Sequence, residues 1–380
     1  MKKKKVILLT NIITPYVIPL FNHIYQAGDF DFKVIVLAKA EQNREWKLAK
    51  EKIKFDYKIL PGWHLFFRTK RREISIHLNL GVFRFFLSHN PDIIITSGYD
   101  CLAYWQAFFC CKLFRKKYIL WNGTTLLSAG SLGGIRGLLK KIIIKGANKY
   151  IAYSTKAKEY LEYFGADPKD IYISTNTVDV DLFYERVLQY RSGKSFLKER
   201  KKFPKIMLLY VGQLVKRKAV EQVLRALNTL NASDIGFMIV GSGSEEENLK
   251  KFCNENNLKN VFFEGFHQQN ELPKYYALAD IFILPSFEEV WGLVVNEALA
   301  SGLYVLCSKY AGAAYDLINN ENGVIFNPNN INEIAKSIKN IRNQIELIRS
   351  KREKISNWAK NNLSIEKSGD AFITAIKSLK

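Results

Sequence analysis

"DIFILPSFEEVWGLVVNEALASG", residues 280–302, decides the fold. "DIFILPS" is a continuous apolar run closed by Pro285 and Ser286, the composition of a strand buried on both faces. A loop, 287–291, follows, and Gly292 opens an apolar helix that stops at Gly302. Three glutamates, Glu288, Glu289 and Glu297, stand in this apolar company, where charge is costly to keep.

The same alternation extends in both directions. Upstream lie "KIMLLYVGQL", the helix "AVEQVLRALNTL", "GFMIVGSGS", the helix "EEENLKKFCNENN", "NVFFEGF" and the helix "ELPKYYALA"; downstream comes "YVLCS". The first half repeats it in "KKVILLT", "FKVIVLA", "PDIIITSG", "KKYILWNG" and "NKYIAYST". Short apolar runs separated by helices indicate parallel sheets covered on both faces. The chain has 380 residues, the size of two domains. The expectation is an α/β protein of two Rossmann-like doubly wound domains facing across a cleft. Their predicted bounds are 1–185 and 206–360. Residues 186–205, basic and polar with a Gly and a Pro, read as a linker. A polar helix at about 361–380 is expected to pack back on the first domain.

Net charge is +21 and unevenly spread: +14 over residues 1–190, +6 over 191–205 and +1 over the rest. Such an excess points to a polyanion or an anionic membrane, or to an ordinary solvated surface. The five cysteines form no zinc-type spacing and fit a reducing, cytoplasmic compartment. Lys2–Lys5 before "VILLTNIITPYVIPLF" imitates a leader, but Thr10, Asn11, Thr14 and Pro15 interrupt the apolar run. Val6–Leu9 therefore reads as a first strand, and no stretch reaches the ~18 apolar residues of a membrane span.

Several loops are equipped for chemistry. In "YVGQLVKRKAVEQVL", Gly212 ends a strand, and Lys216, Arg217 and Lys218 precede a helix. Cations beside a helix start oppose its dipole unless an anion sits between them, and a diphosphate fits. "VGSGSEE" is a weak dinucleotide fingerprint, because Glu246 holds the place of the third glycine. It reads as a tight turn whose acids begin a helix. Asp179 and Asp181 in "TVDVDLF" form a possible metal-binding pair, or a polar turn. In residues 285–302, the helix start at Gly292, Leu293 and Val294 offers free backbone N–H groups to an anion. Carboxylates on either side would accept hydrogen bonds from sugar hydroxyls.

"PSFEEVWGLVVNEALASG" resembles the E-x7-E signature of the retaining family 4 glycosyltransferases, which have the GT-B fold. Glu289 and Glu297 stand at the two glutamates of that signature. "VGQLVKRKAVEQVLRAL", "IVGSGSEEENL", "AGAAYDLINNENGVIFNP" and "GADPKDIYISTNTVDVDLF" resemble further stretches of the same family. The resemblance implies that Glu289 contacts the donor sugar near the reaction centre and that Glu297 binds the nucleotide ribose. It implies that Lys218 binds the diphosphate and that Gly292, Leu293 and Val294 cradle phosphate and sugar. Gly212, Gln213, Arg217 and Gly265 join them as donor-binding candidates. No metal or other cofactor is expected. The chain departs from the family at Gln213, where an arginine is usual; either Lys216 or Arg217 supplies that charge or diphosphate binding is weaker. Ala219 replaces a usual glycine, Trp291 a usual phenylalanine, and Asn122 stands where many members have a histidine.

The expected activity is transfer of a hexose, with retention, from a nucleotide-diphosphate sugar to a glycan or lipid-linked acceptor, in cell-surface polysaccharide or glycolipid biosynthesis. A UDP-sugar is favoured as donor, with GDP-mannose next. Tyr16, Asn122 and Gly123 are the acceptor-side candidates. "GWHLFFRTKRR" (62–72) and "IRGLLKKIIIKGANK" (135–149) mix apolar and basic residues in the manner of helices and loops on anionic membranes. Peripheral contact with the inner membrane face is expected on that ground. The competing reading of the second stretch is a core helix with a basic outer face. A sugar-nucleotide epimerase or glycan phosphorylase of the same fold is the alternative. A basic nucleic-acid binder would leave the glutamate frame unexplained, so no nucleic acid is expected.

Overall fold

The computed structural model describes residues 3–41, 48–68 and 73–379. Among the described residues the strands are β1 (Lys5–Thr10), β2 (Asp31–Val36), β3 (Asp56–Ile59), β4 (Trp63–Arg68), β5 (Glu73–Leu78), β6 (Ile93–Thr96), β7 (Lys117–Asn122), β8 (Lys149–Ala152) and β9 (Ile171–Ile173). They continue with β10 (Ile206–Val211), β11 (Ile235–Val240), β12 (Val261–Gly265), β13 (Ile281–Leu284), β14 (Tyr304–Ser308) and β15 (Gly323–Phe326). The chain divides into two compact units, Met1–Asn176 with Ile365–Lys380, and Thr177–Ser364.

The first unit is built on a parallel sheet in the order β3-β2-β1-β6-β7-β8-β9. In β1, Val6 and Leu8 join one core with the helix Val17–Gln26. Ile7 and Leu9 join another with the helices Val82–His89 and Leu102–Leu113. Alternate residues thus feed cores on opposite faces, which is why the strand reads as unbroken apolar sequence. β4 and β5 form a separate antiparallel hairpin. The C-terminal helix Ile365–Lys377 covers the face of Val6 and Leu8. Phe372 packs edge-on against Trp121, and Ser174 Oγ donates to the Ser368 carbonyl at 3.0 Å. A Cβ on Gly369 would stand 2.3 Å from the His23 ring, so only glycine permits this approach.

The second unit has a parallel sheet in the order β12-β11-β10-β13-β14-β15. Every residue of β10, β11, β13 and β14 is buried. The helix Val220–Leu230 buries Val220, Val223, Leu224, Ala226 and Leu227, one stripe of helical spacing.

The expected linker is a correction. Residues 186–205 lie within the second unit, and the chain passes between units at 176–177 and 364–365. The helix Val180–Ser192 buries Val180, Phe183 and Val187. Arg191 donates to the carbonyls of Tyr276, Ala277 and Ser301, at the ends of the helices Leu272–Leu278 and Leu293–Ala300. A cation suits a helix C-terminus. Arg200, Arg349 and Arg352 surround the buried Asp280, at 2.9, 2.9 and 2.5 Å. Those cations and the Met207 N–H hold the Asp280 carboxyl below the usual carboxylate range, although burial pushes the other way. Part of the charge that imitates a linker is internal.

Candidate active site

In both sheets the strand order reverses beside the first strand of the unit, between β1 and β6 and between β10 and β13. Open parallel sheets place their ligands at that reversal, beyond the carboxyl ends of the strands. In the second unit the loops there are 212–219 after β10 and 285–292 after β13. They are joined by a backbone bond from the Phe287 N–H to the Arg217 carbonyl, at 2.8 Å. Lys218 Nζ donates to Glu289 Oε2, and the two side chains are only 13% and 14% exposed. Glu289 is anchored by a bridge to Ala311 and by the Gly312 N–H on its carbonyl, at 3.3 Å. A cavity of about 270 Å³ opens against these loops, lined by Leu214, Lys216, Ala219, Glu245 and Phe287 among others.

Gly292 precedes the helix Leu293–Ala300 with φ +100°, and a Cβ there would lie 2.8 Å from Leu284 Cδ2. Both facts call for glycine. Leu293 and Val294 are half-buried at the helix start. Gly212, Gly241 and Gly243 let the loops after β10 and β11 close on each other. The Leu214 N–H donates to the Ser242 carbonyl at 2.8 Å, and a Cβ on Gly241 would stand 1.9 Å from the Gly212 carbonyl oxygen. Gly265, at φ +74°, accepts from the Gly241 N–H at 2.7 Å. The "VGSGSEE" segment is thus a packed turn, with Glu246 and Glu247 in the first turn of the helix Glu246–Glu255.

At the departures from the family pattern, Arg217 Nη2 lies 3.3 Å from Gln213 Oε1. The guanidinium of Arg217 thus lies beside Gln213, and Lys216 is exposed. Ala219 adopts a left-handed conformation, φ +53° and ψ +34°, which accounts for glycine as the usual residue. Trp291 is buried and donates to Asn296 Oδ1 at 3.0 Å; it is a packing residue.

Glu297 departs from expectation. Its side chain is wholly buried, one oxygen accepting from the Tyr276 hydroxyl at 2.7 Å and the other having no hydrogen-bond partner. Burial pushes its carboxyl up to about 8, a rise the Tyr276 hydrogen bond opposes. Tyr276 escaped the sequence reading, because nothing local in "PKYYALAD" marks it.

Asp179 caps the helix Val180–Ser192, accepting from the Leu182 N–H at 3.1 Å, and Asp181 pairs with Lys360 at 3.2 Å. They serve as cap and surface pair. Among the described residues no group of three or more His, Cys, Asp or Glu is placed to hold a metal ion.

In the first unit, Tyr16 stands at the N-cap position of the helix Val17–Gln26, Asn122 ends β7 and Gly123 follows it. Asn122 is buried, with its amide donating to the Thr124 carbonyl at 3.1 Å. A carboxamide has no proton-accepting nitrogen, so no general base stands there. A Cβ on Gly123 would meet the Tyr153 ring at 2.4 Å.

The helix Gly134–Lys145 turns a stripe outward: Ile135, Leu138, Leu139 and Ile142 are 79%, 58%, 44% and 44% exposed. Gly137, Ile143 and Ile144 face inward. The exposed face therefore carries apolar residues together with the cations Arg136, Lys141 and Lys145, while Ile143 and Ile144 pack into the core. On the hairpin, Trp63, Leu65, Phe67 and Ile76 are also exposed; residues 69–72 of the basic stretch lie outside the described residues. Among the described residues no helix is long and apolar enough to cross a membrane.

Residues 193–362 match the sequence model of the family described as Glycosyl transferases group 1. A D-inositol 3-phosphate glycosyltransferase of Thermomonospora curvata is 29% identical over 225 residues, 55% of this chain and 52% of that protein. An uncharacterized glycosyltransferase of Methanocaldococcus jannaschii is 29% identical over 165 residues, 43% of this chain and 41% of that protein. The chain thus spans about half the length of the curated relatives it matches. Among solved structures, Anabaena Alr3699/HepE in complex with UDP and glucose aligns with a TM-score of 0.74, covering 99% of this chain and 100% of that one at 16% identity. The lipopolysaccharide outer core galactosyltransferase WaaB aligns with a TM-score of 0.69, over 98% and 99%, also at 16% identity. The chain has the GT-B fold, and its residues 193–362 carry the sequence pattern of the group 1 glycosyl transferases.

Proposed function

We propose that the protein is a retaining glycosyltransferase of GT-B group 1 type. It moves a sugar from a nucleotide-diphosphate sugar to a glycan or lipid-linked acceptor in cell-surface polysaccharide or glycolipid biosynthesis. The observation that carries this reading is the contact of Lys218 with Glu289 beside the helix start at Gly292. It sets a cation, a carboxylate and free N–H groups at the strand-order reversal of the second unit. Lys218, Arg217 and the N–H groups of Leu293 and Val294 meet the diphosphate, and Glu289 accepts from donor-sugar hydroxyls. These groups supply the positive field that a metal would otherwise provide. UDP-sugars are the first donors to try, since a solved neighbour is named as a complex with UDP and glucose, and GDP-mannose the next.

The acceptor hydroxyl attacks the anomeric carbon from the face the leaving group departs. The bond from that carbon to the diphosphate oxygen breaks with its electron pair on oxygen. That oxygen then takes the hydroxyl proton, which is consistent with an amide, Asn122, where a histidine base is common. The acceptor belongs to the first unit. The outward apolar stripe of the helix Gly134–Lys145, with Arg136, Lys141 and Lys145 on the same helix, suits the surface of an anionic membrane carrying a lipid-linked acceptor.

A panel of nucleotide sugars, assayed for the nucleotide released, tests the reading. One donor is expected to be consumed with its anomeric configuration kept. Glu289→Gln is expected to lose about 100-fold or more in turnover with an unchanged circular dichroism spectrum. Full turnover in that variant rejects the site.

A further inference from the structure

We infer that Glu289 competes with the diphosphate for Lys218, and that this competition lets the site tell an intact donor from a spent nucleoside diphosphate. The inference rests on the donor reading above. In the structure the ammonium of Lys218 and the carboxylate of Glu289 are each other's partner, in a setting nearly closed to water. The other charged or titratable groups around the carboxylate offer no replacement. Arg217 is turned to Gln213. The Tyr210 hydroxyl donates to the Gln213 carbonyl at 2.8 Å. The Cys307 thiol is buried, and burial pushes it up, out of the thiolate range.

A diphosphate on the helix start at Gly292 draws Lys218 toward itself. Glu289 then loses the cation it pairs with among the described residues, and an unpaired charge in a closed site is strongly unfavourable. An intact donor removes that problem, because sugar hydroxyls donate to the freed carboxylate. A nucleoside diphosphate has no such hydroxyls to offer, and it leaves a bare carboxylate near a phosphate of the same sign. The carboxylate therefore weakens product binding selectively. It speeds release after transfer, when the sugar has left and the diphosphate remains.

Binding constants for UDP, GDP and UDP-glucose, measured calorimetrically on the whole protein and three variants, test this. UDP, or GDP if that is the nucleotide bound, is expected to bind Glu289→Gln about 5-fold or more tighter than the unmodified protein. UDP-glucose is expected to show no such gain. In Lys218→Ala combined with Glu289→Gln, compared with Lys218→Ala alone, the gain is expected to shrink to the part owed to direct repulsion between carboxylate and phosphate. Glu289→Ala gives the same sign and serves if the glutamine variant folds poorly. A nucleoside diphosphate that binds the variants no tighter than the unmodified protein overturns the inference. So does a gain that is undiminished without Lys218. Absence of binding by all three compounds to the unmodified protein overturns the donor reading itself, a distinct result.

Discussion

The two units share a sheet design and differ in what they set at its reversal. In the second, a lysine and a glutamate meet across two loops laced by backbone bonds, with a glycine-started helix beside them. In the first, the loops beyond β1, β6 and β7 carry one acid, Asp100, and otherwise neutral polar groups, several of them bonded to one another or to nearby side chains. Tyr104 donates to Asn11 at 2.8 Å, Ser97 to Thr10 at 3.0 Å, and Asn122 to Thr124 at 3.1 Å. The unit with the larger formal charge thus has the less charged reversal. Its basic residues flank apolar ones on the outer surface instead. One architecture thus carries a buried charge pair at the reversal of one unit and exposed apolar and basic residues on the surface of the other.

Breaking the second unit at its internal charges is expected to have the largest effect. Asp280→Asn leaves Arg200, Arg349 and Arg352 without their shared anion, and about 3–5 kcal/mol of stability is expected to be lost in denaturant unfolding. Because the folded protein holds this carboxyl low, its contribution is present above the unfolded value. It fades only as pH falls through the still lower folded value.

Glu297 runs the opposite way. Its folded value of about 8 lies above the ordinary 4.5. The neutral acid is stable when buried, so stability is fully present below 4.5 and declines as pH rises toward 8. The loss is roughly 1.4 kcal/mol per pH unit within that window. Glu297→Gln, which stays neutral, is expected to flatten that slope in thermal unfolding between pH 5 and 8. A slope unchanged in the variant contradicts the burial argument.

The first unit is tested by Ile135→Glu with Leu139→Glu. The partition constant onto anionic vesicles, measured by pelleting, is expected to fall about 30-fold, because each change removes roughly 1 kcal/mol of apolar contact. Release of nucleotide from a soluble donor is expected to stay unchanged. Equal pelleting before and after ends the membrane reading. The smallest effect is expected at Ala219→Gly. Relief of the left-handed backbone and loss of a buried methyl nearly cancel, leaving a change in unfolding free energy within about 1 kcal/mol.

Much of this contrast was legible beforehand, and for a physical reason. A strand buried on both faces must be apolar throughout, so "KVILLT", "IMLLYV" and "IFIL" announce themselves. The glycines at 212 and 292 mark positive φ, and the Lys218 and Glu289 motifs lie on neighbouring strands because the topology reverses there. What escaped depends on distant partners. The 186–205 segment looks like a solvated linker until Asp280 and the ends of two helices receive its arginines. Glu297 looks like a ligand contact until Tyr276, 21 residues earlier, closes over it. The helix Gly134–Lys145 was ambiguous because the same residues fit an inward or an outward apolar stripe. Only the docking of Ile143 and Ile144 settles its rotation.

Hydrogen exchange of the whole protein with and without a saturating nucleoside diphosphate tests the central claim most directly. The expected result is slowed exchange at amides in 212–219 and 292–296 of the second unit, with the loops at Tyr16 and Asn122 unaffected. Protection confined to the first unit, with those two segments unchanged under demonstrated binding, would contradict the account.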